Sequence, residues 1–191
     1  MAEMVKAILN GEYEIILPKH RADRAEWYTE KGWEKERLKA LKAEIHQQDV
    51  HHTIGWEPPV VYYVGVEEGE MAALCQMWGA RVVLFEPNER VWPNVKAIWE
   101  ANNLEMPAGI FFGFASNETK GKRQGLISAA TPSYWPAAAE EEVRGDHGFE
   151  ELYRNWADLP QTKIDDYVKK SGIVPTIITF DCEGSDWEVL K

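Results

Sequence analysis

The pattern of apolar and polar positions is clearest from Val60 to Pro87, which runs VVYYVGVEEGEMAALCQMWGARVVLFEP. Val60 to Val64 is a short apolar run, rich in β-branched and aromatic side chains, and predicts a buried strand. Gly65 then turns the chain, and Gly69 lets the next backbone come close. Beyond it, Met71, Leu74, Cys75 and Trp78 fall at i, i+3, i+4 and i+7, one face of a helix that Gly79 ends. Arg81 to Glu86 is a second apolar run, closed by an acid. Strand, glycine turn, helix, strand and carboxylate in that order predict half of a doubly wound α/β sheet. Its ligand is expected at the carboxyl ends of the strands.

The rest of the chain follows the same rhythm less clearly. Tyr13 to Leu17 predicts a short strand ended by Pro18. From Ala25 to about Gln48 the spacing is helical, with Leu38, Leu41 and Ile45 on one face. The mixed charges of EKERLKALKAEIH suit a solvated face. A helix is expected from near Trp92 to Asn103, with Pro93 in its first turn and Val91, Val95, Ile98 and Trp99 buried. Ile110 to Phe114 predicts a third strand, leading to Ala115, Ser116 and Asn117. Residues 118–160 lose periodicity and are expected to form a long lid or recognition loop. Within it, His147 in GDHGF is a candidate general base, set against an ordinary surface histidine. Ile164 to Gly172 predicts a helix with Asp165 as N-cap, and Thr176 to Phe180 a further strand. His46, His51 and His52 have no carboxylate or cysteine at ligand spacing, so no metal site is expected there.

The turn chemistry narrows the ligand. Glu86 lies about twenty residues past the first glycine, where a ribose-binding carboxylate sits in such units. The turn itself carries Glu67, Glu68 and Glu70, and its glycines are spaced GxxxG rather than GxGxxG. Three carboxylates repel a pyrophosphate, which disfavours a nicotinamide dinucleotide. They suit a ligand with a ribose, an amine and a sulfonium but no phosphate, such as S-adenosylmethionine.

VGVEEGE, FEPN, IDDYV and TFDCEGSDWE together resemble the motifs of the FkbM family of methyltransferases, over about Val60 to Lys191. The resemblance implies a Rossmann-like class I core with a mostly parallel sheet and helices on both faces. It divides the chain into an N-terminal extension, 1–59, and an S-adenosylmethionine-binding core, 60–191. Because such cores continue with further strands, the core is expected to be C-terminally short. The implied roles are Gly65, Glu67 and Gly69 around the methionine portion, and Glu86, followed by Pro87 and Asn88, on the ribose. Tyr63 stands where the family carries an acid that helps hold the amino group. Ser116 or Asn117 is placed beside the adenine, and Asp181 and Glu183 face the transfer site. Those two acids are spaced i, i+2, on one side of a strand, and their like charges would push one pKa upward. The activity implied is methyl transfer to a hydroxyl of a small molecule or carbohydrate. The alternative is a catalytically impaired assembly module, completed by a partner or second copy that covers the sheet edge near 176–180.

Composition sets outer bounds. With 191 residues, 45% hydrophobic and 12% aromatic, a single globular domain is expected. A net charge of −11 argues against nucleic acid as a partner. Cys75 and Cys182 fall inside apolar runs and are expected to be buried thiols. No apolar run approaches the ~20 residues of a membrane span, and the N-terminus shows no signal-peptide core. A cytoplasmic location is the resulting expectation.

Overall fold

The computed structural model describes residues 3–32, 34–52, 57–119, 135–136, 159–182 and 186–190. His147 and Glu183 lie outside the described residues, as does most of the 118–160 stretch.

A four-stranded parallel sheet stands at the centre. Its strands are β3 (Val60–Val64), β4 (Arg81–Phe85), β5 (Gly109–Phe111) and β8 (Ile177–Phe180), in the order β5-β4-β3-β8. Helices α3 (Glu70–Met77) and α4 (Trp92–Ala101) make the crossovers from β3 to β4 and from β4 to β5. The register pairs Tyr63 with Leu84 on one side and with Thr179 on the other. Every residue of β3 is buried, as the continuous apolar run requires of a parallel strand covered on both faces. Val61 and Tyr63 join one core cluster with α3 and α4. Val60, Tyr62 and Val64 join another on the opposite face, centred on Tyr167 of α5 (Ile164–Ser171). The Tyr167 ring sits 4.9 Å from Phe85 and 5.7 Å from Tyr62, both edge-on, a favoured aromatic geometry. The chain is thus mixed α/β with a parallel sheet between helical layers.

The N-terminal segment folds onto the first of these faces. β1 (Met4–Leu9) and β2 (Tyr13–Pro18) form an antiparallel hairpin that sequence periodicity alone does not reveal. Asn10 (φ 52°) and Gly11 (φ 68°) turn it, closed by the Glu12 N–H donating to Leu9 O at 3.1 Å. An Asn-Gly pair between apolar runs is the usual signal for such a turn. Leu9, Ile15 and Leu17 are buried in the same cluster as Val95, Ile98 and Trp99. The Asn102 side chain pairs like a strand with Ile16, accepting its N–H at 2.9 Å and donating to its carbonyl at 2.8 Å.

Three expectations need correction. The single helix expected from Ala25 is two, α1 (Lys19–Lys31) and α2 (Lys35–His52), because Gly32 takes a left-handed C-cap at φ 61°. The third strand ends at Phe111 rather than Phe114. Gly113 passes so close to Pro160 that a Cβ there would lie 2.3 Å from its carbonyl oxygen. The chain then leaves the sheet to pair β6 (Phe114–Ala115) with β7 (Gln161–Thr162). The N-cap of α5 is Lys163, with no side-chain cap, while Asp165 and Asp166 lie in the first turn, where they complement the helix dipole.

A short helix, α6 (Asp186–Val189), follows β8. The outer edge of β8 has no strand partner among the described residues, and Val174, Ile178, Trp187 and Leu190 nearby in sequence are exposed. Among the described residues no helix is long and apolar enough to cross a membrane.

Candidate functional site

In strand order the chain steps outward from β3 through β4 to β5, then returns to place β8 on the other side of β3. Such a reversal is where an open α/β sheet places a ligand crevice, outside the carboxyl ends of its strands. Gly65 follows β3 at that end. Its N–H donates to Phe85 O at 2.9 Å, while the Asp181 N–H donates to Val64 O at 2.8 Å. A Cβ at Gly65 would lie 2.1 Å from Asp181 O, and the residue holds φ +83°. Glycine is therefore required by close approach and by conformation together. The turn beyond is closed by the Gly69 N–H donating to Val66 O at 3.0 Å, with Glu67 left-handed at φ 52°.

Glu86 ties this turn to the end of β4. Its Oε2 accepts the Glu67 N–H at 3.1 Å and its Oε1 the Asn88 N–H at 2.7 Å. Asn88 in turn accepts the Arg90 N–H at 3.0 Å, so Glu86, Pro87 and Asn88 form one tight bend. Burial pushes Glu86 up to about 7, against the pull of its backbone N–H donors. The Val66 N–H is a further backbone donor to this carboxylate, and the residue keeps 7% of its surface.

The acids of the turn are answered by cations from the N-terminal segment. Arg21 of α1 is 3% exposed and donates to Glu70 Oε1 through Nε at 3.0 Å and through Nη2. The same Nη2 lies 3.3 Å from the Tyr28 hydroxyl and 3.8 Å from Glu67. Glu68 accepts from Asn94 at 2.5 Å and faces His20 at 3.7 Å. Burial, then the charge of Glu70, raises Glu67 above the usual carboxylate range, with Arg21 opposing. A turn that looks purely acidic in the sequence therefore carries a buried guanidinium.

A second arginine reaches the crevice itself. Arg37 of α2 donates from Nη1 to Phe180 O at 3.1 Å, and from Nη2 to the Tyr63 hydroxyl at 3.0 Å and Asp181 Oδ2 at 2.8 Å. Its Nε lies against the Glu34 carboxylate. Tyr63 is 1% exposed, and burial pushes its phenol well above the usual range, so it offers a hydroxyl and no charge.

The structure thus brings Tyr63, Gly65, Glu67, Glu86 and Asp181 to one end of the sheet. Pro87 and Asn88 follow Glu86, and Gly69 opens α3 against Val95, with a Cβ there 3.1 Å from Val95 Cγ2. Ser116 and Asn117 follow β6 at the end of the β6–β7 pair, where the Ser116 N–H donates to Thr162 O at 2.9 Å. Cys75 is buried and Cys182 partly so, both free; burial pushes each thiol up to about 12. Among the described residues no three His, Cys, Asp or Glu side chains converge as metal ligands.

Sequence reasoning missed Arg21 and Arg37, yet a signal was present. Arg21, Ala25 and Tyr28 share one helical stripe, as do Arg37, Leu38, Leu41 and Ile45. A charge on an otherwise apolar stripe implies a buried counter-charge. Comparison with protein-family models, with curated proteins and with solved structures finds no match to this chain.

Proposed function

We propose that this chain binds S-adenosylmethionine at the β3–β4–β8 end of its sheet, in a Rossmann-like methyltransferase core, and takes part in methyl transfer to a hydroxyl group. The observation that carries this reading is Glu86. It is a nearly buried carboxylate at the end of β4, held by backbone N–H groups against the glycine turn that follows β3. A carboxylate so placed suits the hydroxyls of a ribose. The turn's backbone and Glu67 would border the methionine portion, and Asp181 stands on the far side of the same crevice.

S-adenosylmethionine supplies an electrophilic methyl group. Bound at this end of the sheet, it would offer that methyl to the acceptor oxygen, the S–C bond breaking to leave a neutral thioether as the O–C bond forms, while a base of the chain would take the hydroxyl proton. Position supplies most of the rate in such a displacement. In the structure Asp181 is engaged by Arg37, so Glu183 and His147 remain the candidates for the proton acceptor. A carbohydrate or other small hydroxyl compound is the acceptor class.

Thermal melting with and without S-adenosylmethionine tests the reading. At a hundred times Kd the ligand stabilises by about 2.7 kcal/mol. For a domain of this size that raises Tm by roughly 5–10 °C. An unchanged Tm at millimolar ligand rejects it.

A second reading rests on the outer edge of β8, which has no strand partner among the described residues, and on the exposed Ile178 and Val174. In it, two copies pair through β8 and the chain serves as an assembly module. Light scattering distinguishes this; a single monomer mass at high concentration excludes it.

A further inference from the structure

The crevice at the β3–β8 reversal is filled by the chain itself. Three acceptors converge there: the Phe180 carbonyl, the Tyr63 hydroxyl and the Asp181 carboxylate, each within 3.1 Å of a nitrogen of Arg37. They come from the carboxyl-terminal ends of β3 and β8, neighbouring strands of the sheet. Three acceptors, one of them anionic, are also what a primary ammonium seeks, since it carries three N–H donors and one charge.

We propose that Arg37 is a displaceable plug, whose guanidinium keeps the place of a ligand's ammonium group, and that such a ligand binds by exchanging one cation for the other. This rests on the reading above, in which the amino-acid end of S-adenosylmethionine supplies the ammonium. The exchange sets one cation in the place of another, so Asp181 keeps a counter-ion throughout. Little of the fold has to move. Leu38, Leu41 and Ile45 fix the rest of α2 in the core. Arg37 lies in the first turn of α2, just past the left-handed Gly32 and Glu34 at φ 61° and 59°, so releasing it loosens that one turn. A plugged site binds more weakly by the fraction of time it stands open.

Calorimetric titration of the full chain decides the matter with two nucleosides. S-adenosylhomocysteine carries the ammonium; 5′-methylthioadenosine lacks the whole amino-acid portion. Arg37→Gln should bind S-adenosylhomocysteine about ten-fold tighter than wild type, as for a site open about a tenth of the time, and leave methylthioadenosine within about two-fold. Glu34→Gln, which removes the carboxylate beside the Arg37 Nε and leaves all three acceptors in place, should tighten S-adenosylhomocysteine binding about two- to three-fold, and carries the comparison if Arg37→Gln does not fold. Unchanged or weakened S-adenosylhomocysteine binding in the variants, with methylthioadenosine still bound, overturns the plug and spares the cofactor site. Failure of wild type and variants to bind either nucleoside overturns both. In wild type, S-adenosylhomocysteine but not methylthioadenosine should speed hydrogen exchange at the Leu38 amide, which donates to Glu34 O at 2.9 Å.

Discussion

Replacing Gly65 with alanine probes the tightest crossing in the fold. Two penalties are combined at this residue. The backbone is left-handed at φ +83°, which costs an L side chain about 1–2 kcal/mol. The new methyl group would also lie 2.1 Å from Asp181 O and 2.7 Å from Asp181 C. Restoring ordinary contact requires the ends of β3 and β8 to part by about 1 Å, which weakens the Asp181-to-Val64 hydrogen bond and strains its neighbours, at about 2–3 kcal/mol. The sum is about 3–5 kcal/mol, a large fraction of the 5–15 kcal/mol typical of a folded domain. Gly172 provides the control. It holds φ +73°, and nothing lies within 4 Å of a Cβ placed there. Gly172→Ala should therefore show the conformational penalty alone. In urea, with a slope of about 2 kcal/mol/M, the midpoint should fall by roughly 2 M for Gly65→Ala and by under ~1 M for Gly172→Ala. Equal shifts for the two variants would refute the close approach of β3 and β8, and with it the geometry of the crevice.

Two further outcomes follow from the buried charges. Arg21→Met strands Glu70, itself 2% exposed, without a counter-charge, and should cost about 3–5 kcal/mol in urea unfolding. Adding Glu70→Leu should recover most of that, and a cost below about 1 kcal/mol for Arg21→Met alone would contradict the burial of the pair. Glu86 governs the pH dependence. Its pKa is about 7 folded against an ordinary 4.5, so the folded chain holds the proton more tightly between those values. Stability should then fall as pH rises through that window, by up to about 3 kcal/mol, and the loss should be complete above neutrality. Glu86→Gln cannot titrate and should remove its share of that slope, the rest coming from Glu67, also raised to about 7; parallel curves for variant and wild type would exclude Glu86 as a source.

The sequence made some elements plain and hid others for identifiable reasons. Val60–Val64, Glu70–Met77 and Arg81–Phe85 were legible because both periodicities are unbroken there and glycines punctuate them. The placing of Glu86 at the strand end followed from spacing alone. The β1–β2 hairpin escaped a reading based on periodicity, although Asn10-Gly11 announces its turn. The charged run before Leu38 looked like a solvated face because it was weighed by composition, whereas Arg37 shares the stripe of Leu38 and Leu41. What pairs with a buried arginine depends on residues far along the chain, and no local pattern in one sequence contains that information. The third strand was overextended because nothing local in FFGFA marks the approach of Pro160 to Gly113.

The distances along the chain between these charged partners also have a consequence in time. Arg21 precedes Glu70 by 49 residues, and Arg37 precedes Asp181 by 144. At ~5–20 residues per second of synthesis, Arg37 leaves the ribosome roughly 7–30 s before its carboxylate does. Through that interval the Arg37 cation, beside the apolar row of Leu38, Leu41 and Ile45, has Glu34 but not yet Asp181 to answer it. The nascent chain therefore emerges with the part that closes the crevice first and the strand that completes it last. Slow or paused translation across residues 60–180 should expose that early segment longest to chaperones and to proteases.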